Sequence, residues 1–107
     1  MRVPTFYDLT GILVAKAIRP LLEAFLRVAC PEYFPPERLL GPFRDLCSQR
    51  VGTPQQILDA QATQELRDLI EYANRFHHET NAAWETEQIN DGELQGFVQR
   101  ALEFAKP

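Results

Sequence analysis

The chain has 107 residues, 45% of them hydrophobic, which is enough for one compact domain with a real but modest core. Its net charge of −4 argues against binding nucleic acid by bulk electrostatics, and its two cysteines, Cys30 and Cys47, show neither metal-type spacing nor a disulfide framework. A reduced, cytoplasmic setting is expected, with no signal-peptide layout in Met1 to Thr5. Lys16, Arg19, Glu23 and Arg27 interrupt the apolar run from Gly11 to Ala29, which excludes an ordinary membrane span.

Charge is divided unevenly along the chain. Residues 1–50 carry seven basic and five acidic groups, whereas 51–107 carry four basic and ten acidic ones. A phosphate-facing surface is therefore expected from the first half, around Lys16, Arg19 and Arg27.

Residues 1–9 read as a lead-in segment and 10–105 as a bundle, in a single helical domain over 1–107. Asp8 or Thr10 is placed to cap a long helix reaching about Ala29, where Cys30-Pro31 stops it. Val14, Ile18, Leu21, Leu22, Phe25, Val28 and Ala29 form its apolar side. Pro20 falls inside this pattern and predicts either a kink near Lys16 to Ala17 or a break and restart. Opposite the apolar arc lie Lys16, Arg19, Glu23 and Arg27, and the i, i+4 spacing of Arg19 and Glu23 is that of an ordinary surface ion pair.

Pro31 to Pro36 is a rigid connector. Glu37 to Arg50 reads as a second helical stretch interrupted at Gly41-Pro42, with Leu39, Leu40, Phe43, Leu46 and Cys47 on its buried side. Gly52 suits a helix C-terminus, and Thr53, Pro54 and Gln56 suit the start of a short helix over 54–60. The most regular amphipathic segment follows, at 63–79. Leu66, Leu69, Ile70, Ala73 and His77 form its stripe, with Arg67, Glu71, Asn74 and His78 along one flank. His77 thus reads as a core or interface histidine, and His78 as either a solvated residue or part of a site. Trp84 reads as a core plug in an acidic connector. Asn90 and Glu93 open a last helix over 91–105, with Leu94, Phe97, Val98, Ala101, Leu102 and Ala105 on its apolar side. No alternating stretch is long enough for a strand. The fold expected is all-α, a small bundle of four to five helices.

Three features together resemble a known family. Arg19-Pro-Leu-Leu-Glu23-Ala-Phe-Leu in an early helix, the connector Tyr33-Phe-Pro-Pro36, and Asn74-Arg-Phe-His-His78 in a later helix resemble the C-terminal region of ATPases related to bacterial anticodon nucleases. Those nuclease domains are similar to HEPN domains, helical bundles that commonly dimerise and often act as metal-independent ribonucleases. The resemblance spans about residues 15–105. It implies an endoribonuclease acting on RNA, with tRNA among the candidate substrates, in a defence or toxin context, with no cofactor or metal. It also implies a homodimer, an ATPase partner and no membrane association. Arg19, Glu23 and His78 match the catalytic residues, while Asn74, Lys16 and Arg27 would bind substrate. Ala73 stands where the wider motif has its Arg, so either Arg19 supplies the phosphate-binding cation or the site is inactive. The chain would correspond to a detached terminal domain, a stand-alone relative or a fragment. A second reading, from another class, is a non-catalytic helical module for dimerisation or for regulation of an ATPase-linked system.

Overall fold

The computed structural model describes residues 6–77, 80–81, 83–84 and 87–106, with 6–10 described by backbone alone. Among the described residues there are four helices and no strand: α1 (Phe6–Ala29), α2 (Leu40–Arg50), α3 (Ala60–Asn74) and α4 (Asp91–Phe104). α3 lies at the centre, packed against α1, α2 and α4, and α1 also meets α4. Among the described residues no helix is long and apolar enough to cross a membrane.

α1 passes through Pro20 as one helix, so of the two outcomes expected there, a kink or a break, the break does not occur. Proline removes one backbone hydrogen bond. Burial of Ile18, Leu22 and Leu26 on both sides of it keeps the helix together. The buried side of α1 is Ala15, Ile18, Leu22 and Leu26, not the whole apolar arc. Val14, Val28 and Ala29 are exposed, Val28 to 82%.

Beyond Ala29 the connector is pinned by its aromatic ring. Phe34 is buried and stacks on Phe43 of α2, with centroids 4.6 Å apart. α2 then starts at Leu40 and is not interrupted, because Gly41 and Pro42 fall in its first turn, where a missing N–H costs nothing. Leu40, Phe43 and Cys47 are buried, but Leu39, the residue before the helix, is 68% exposed.

Gly52 takes φ +77°, the left-handed conformation expected of a glycine just past a helix end. The short helix expected over 54–60 is absent. Its polar signals are used on turns instead: the Gly52 N–H donates to Gln56 Oε1, and the Gln55 N–H to Thr53 Oγ1. With only Ile57 and Leu58 to bury, so short a segment lacks the apolar face a helix needs.

α3 begins three residues earlier than the periodicity indicates, because Asp59 caps it and accepts from the Ala62 N–H at 2.7 Å. It buries Leu66, Leu69, Ile70, Tyr72 and Ala73. It also ends earlier, at Asn74. Thr80 Oγ1 donates to the Asn74 carbonyl at 2.7 Å and the Asn81 side chain to the Arg75 carbonyl at 3.0 Å, so the freed carbonyls are satisfied from beyond the helix. α4 starts where expected, with the Asn90 side chain accepting from the Glu93 N–H. Leu94 and Ala101 are buried, Phe97 and Val98 pack at the margin, and Leu102 is 56% exposed.

Candidate functional site

The early and late motifs meet at the junction of α1 and α3. Arg19 Nη1 donates to Asn74 Oδ1 at 2.7 Å, across 55 residues of chain. Both side chains are half-buried. Among the described residues no carboxylate lies within ion-pair distance of Arg19. Its charge is met by a neutral amide.

The expected Arg19–Glu23 pair is not formed. Glu23 pairs instead with Arg27, at 3.6 Å. Arg27 is committed to the connector, donating to the Pro35 carbonyl at 2.7 Å and the Arg38 carbonyl at 3.2 Å, with its guanidinium over the Phe34 ring. That placement makes it a structural cation rather than a free substrate-binding one. Lys16 Nζ stands 5.0 Å from the centroid of the Trp84 ring, so this half-buried tryptophan packs against a cation at the edge of the fold.

His77 lies beyond the end of α3 and is half-buried. Phe76 takes the core position, 1% exposed and edge-on to Tyr72. The turn at residues 75–76 therefore shifts the apolar stripe off His77. His78 lies outside the described residues. α3, on which Asn74 and His78 are expected at i, i+4, ends at Asn74. Ala73, at the position of the wider motif's Arg, is fully buried and leaves no outlet for a charged side chain there.

Arg67, Glu71 and Asn74 share a flank as their spacing predicts, and line a cleft of about 200 Å³ with Arg44 and Asp45 of α2. Sequence reasoning misses Arg44, because only the packing of α2 on α3 brings it there. Arg67 donates to Ser48 Oγ and Arg44 pairs with Asp45, which fixes two guanidinium groups beside Asn74. Along the other side of α3, Arg75 pairs with Glu87 and Glu93, and Arg100 with Glu65 and Asp68.

Two buried groups have shifted protonation. Burial pushes the Cys47 thiol up to about 11, with Cys30 adding to the shift and Arg50 opposing it. A thiol held that high is a poor nucleophile at neutral pH. Burial likewise pushes the Tyr72 phenol up to about 12, helped by Glu93 and opposed by Arg75. Among the described residues no three metal-binding side chains converge. The chain matches no protein-family model, no curated protein and no solved structure.

Proposed function

We propose that this chain is a HEPN-like ribonuclease domain that acts in the cytoplasm and cleaves RNA, tRNA being the first substrate to test, without a metal. The observation that carries this reading is the Arg19–Asn74 contact, because it joins one residue from each half of the resembling motif at 2.7 Å. A guanidinium held by a neutral amide keeps its full charge for an incoming phosphate, and its planar fork suits that anion. Arg67 and Arg44 in the adjoining cleft offer further N–H donors beside Asn74, with Asp45 and Glu71 balancing their charge.

In the proposed reaction a ribose 2′-oxygen attacks the neighbouring phosphorus while the bond to the 5′-oxygen breaks. One group accepts the 2′-hydroxyl proton and another protonates the departing oxygen, leaving a 2′,3′-cyclic phosphate and a 5′-hydroxyl. Arg19 stabilises the charge growing on phosphorus. His78, four residues after Asn74, is assigned one of these two proton transfers, as acid or base, because imidazole titrates near neutrality, and water supplies or takes the other proton. Asn74 orients Arg19, and Glu23, through its pair with Arg27, contributes to the local field.

The test is incubation of the purified protein with total tRNA in EDTA, followed by analysis of the ends produced. Arg19→Gln and His78→Ala should each remove nearly all cleavage, and the double variant should lose little more, as for groups acting in one transition state. Cleavage that survives in His78→Ala, or that needs a divalent metal, would overturn the mechanism. A second reading, a non-catalytic helical module regulating an ATPase partner, draws support from the placement of Arg27 and Ala73. One is committed to the connector and the other is buried in the core. Absence of cleavage in the wild-type chain would favour it.

A further inference from the structure

Where α3 packs on α4 the two helices leave a groove. Asp68, Tyr72 and Arg75 of α3 and Glu93, Phe97 and Arg100 of α4 recur at helical spacing and line a cleft of about 270 Å³, with exposed Glu71 beside them. A larger cleft of about 660 Å³ shares Asp68 and Arg100 with it and continues towards Ala62, Glu103 and Phe104. Joined, the two reach from Glu71 to Gln61, about 15 Å along α3.

The pairing of its charges decides the sign of a ligand. Arg75 already has Glu87 and Glu93, and Arg100 has Glu65 and Asp68, so an anion would have to displace a carboxylate from either. Glu71 makes no ion pair among the described residues, and Glu103 has only an exposed pair with Lys106. Negative charge is therefore left over at both ends of the groove. It is spread out rather than focused, since among the described residues no three metal-binding side chains converge. Dispersed carboxylates beside the half-buried rings of Phe97 and Phe104 suit a cation that is long and partly apolar.

A second observation, independent of charge, marks one end of the groove. Tyr72 is 3% exposed, and its hydroxyl has no hydrogen-bond partner among the described residues. A buried hydroxyl left in this state costs free energy that a ligand donor would recover. It faces the cleft, because the charges that act on the phenol are those of Glu93 and Arg75, both in the cleft wall.

We infer that the α3–α4 groove is a binding site for an aliphatic polyamine, with one ammonium group at the Tyr72 end and the methylene chain laid over Phe97 towards Phe104. That ammonium donates to Tyr72 Oη and to the Glu71 carboxylate. Arg75, whose guanidinium lies 5.3 Å from the Tyr72 ring centroid and whose side chain is 36% exposed, is the group that shifts to admit it. Arg19 and Asn74 take no part, so binding is expected whether or not the chain cleaves RNA.

Equilibrium dialysis of RNA-free protein against labelled spermidine, at physiological ionic strength, tests it. A single molecule should bind per chain. Tyr72→Phe and, independently, Glu71→Gln should keep helicity by circular dichroism. Each should weaken binding roughly tenfold or more, as expected when a contact to a charged group is lost. Glu32→Gln removes the same charge from the exposed connector and should change the affinity less than about twofold. A trilysine peptide, acetylated and amidated to carry the same charge as spermidine, should bind more weakly. Absence of binding, an affinity indifferent to Tyr72→Phe, or equal losses in Glu32→Gln and Glu71→Gln would overturn the proposal. So would tighter binding of trilysine, which would give the groove to the basic segment of a protein.

Discussion

On the α4 side of α3 the cations are already neutralised. Arg100 reaches Glu65 and Asp68, and Arg75 reaches Glu87 and Glu93, the latter at 3.0 Å. On the α1 side Arg19 meets only the Asn74 amide. The two edges of one helix thus treat the same functional group in opposite ways. A guanidinium that has its carboxylates gains little from a phosphate, since binding it would mean exchanging one anion for another. One held by an amide is positioned but not neutralised, and an incoming anion gains the full charge-assisted bond. This difference, more than the number of arginines, places the candidate site on the α1 edge.

The largest effect is expected where both edges depend on the same packing. Leu69 is fully buried in the middle of α3, so Leu69→Ala should cost about 2 to 5 kcal/mol by chemical denaturation and weaken both edges together. A cost below about 0.5 kcal/mol would show that α3 does not present this face to the core.

Tyr72 gives the next effect, on the α4 side. Its hydroxyl is buried with no hydrogen-bond partner among the described residues, and its ring stacks on Phe97 at 4.1 Å. Tyr72→Phe keeps the ring and removes the unsatisfied group, so stability at neutral pH should be unchanged or higher. The alkaline range separates the two proteins. A phenol raised from 10.0 to about 12 favours the folded state fully below pH 10, and that contribution is lost as pH rises through about 12. The unfolded chain releases the proton first, so stability falls with pH over this window. The wild type should lose on the order of 2 kcal/mol more than Tyr72→Phe between pH 10 and 12. Cys47, raised from 9.0 to about 11, acts in the same direction in both proteins and cancels in the comparison. Parallel alkaline curves would show that the phenol is hydrated.

Arg100→Gln should cost about 1 kcal/mol or less, and less still in high salt, because its side chain is 39% exposed and its ion pairs are screened. An effect of several kcal/mol, insensitive to salt, would mean that the α4 edge is a buried network.

Much of this arrangement is legible in the sequence. The i, i+3, i+4 spacing identifies α1, α3 and α4, and the Asn90–Glu93 pair gives the start of α4. The flank shared by Arg67, Glu71 and Asn74 comes from the same count. The ends of α3 are not legible, because they are set by side chains outside the periodic segment, Asp59 before it and Thr80 and Asn81 after it. Apolar periodicity also overstates the core. It locates an apolar arc but not which part of the arc a neighbouring helix covers, and so it assigns Val14, Val28 and Leu102 to the core although all three are exposed. Nor does i, i+4 spacing choose between partners: Glu23 lies four residues from both Arg19 and Arg27, and it takes Arg27, already held by the connector carbonyls.

The smallest change in stability belongs to the substitution that would turn one edge into the other. Asn74→Asp places a carboxylate where Arg19 now meets an amide, reproducing on the α1 side the pairing that Arg100 has on the α4 side. The new ion pair, half-exposed, is worth a few tenths of a kcal/mol to about 1 kcal/mol. Asn74 is also the last residue of α3, where a negative charge opposes the helix dipole by a similar amount. These terms offset, and the net change in unfolding free energy should stay within about 0.5 kcal/mol. RNA binding should respond quite differently, because a neutralised Arg19 has no charge left to offer a phosphate. Binding of tRNA should weaken in Asn74→Asp, and the slope of log affinity against log salt should become shallower by about the one phosphate that Arg19 no longer neutralises. An Asn74→Asp protein that binds tRNA as the wild type does, with the same salt slope, would show that Arg19 is not used for phosphate. The two edges of α3 would then differ in pairing alone and not in role.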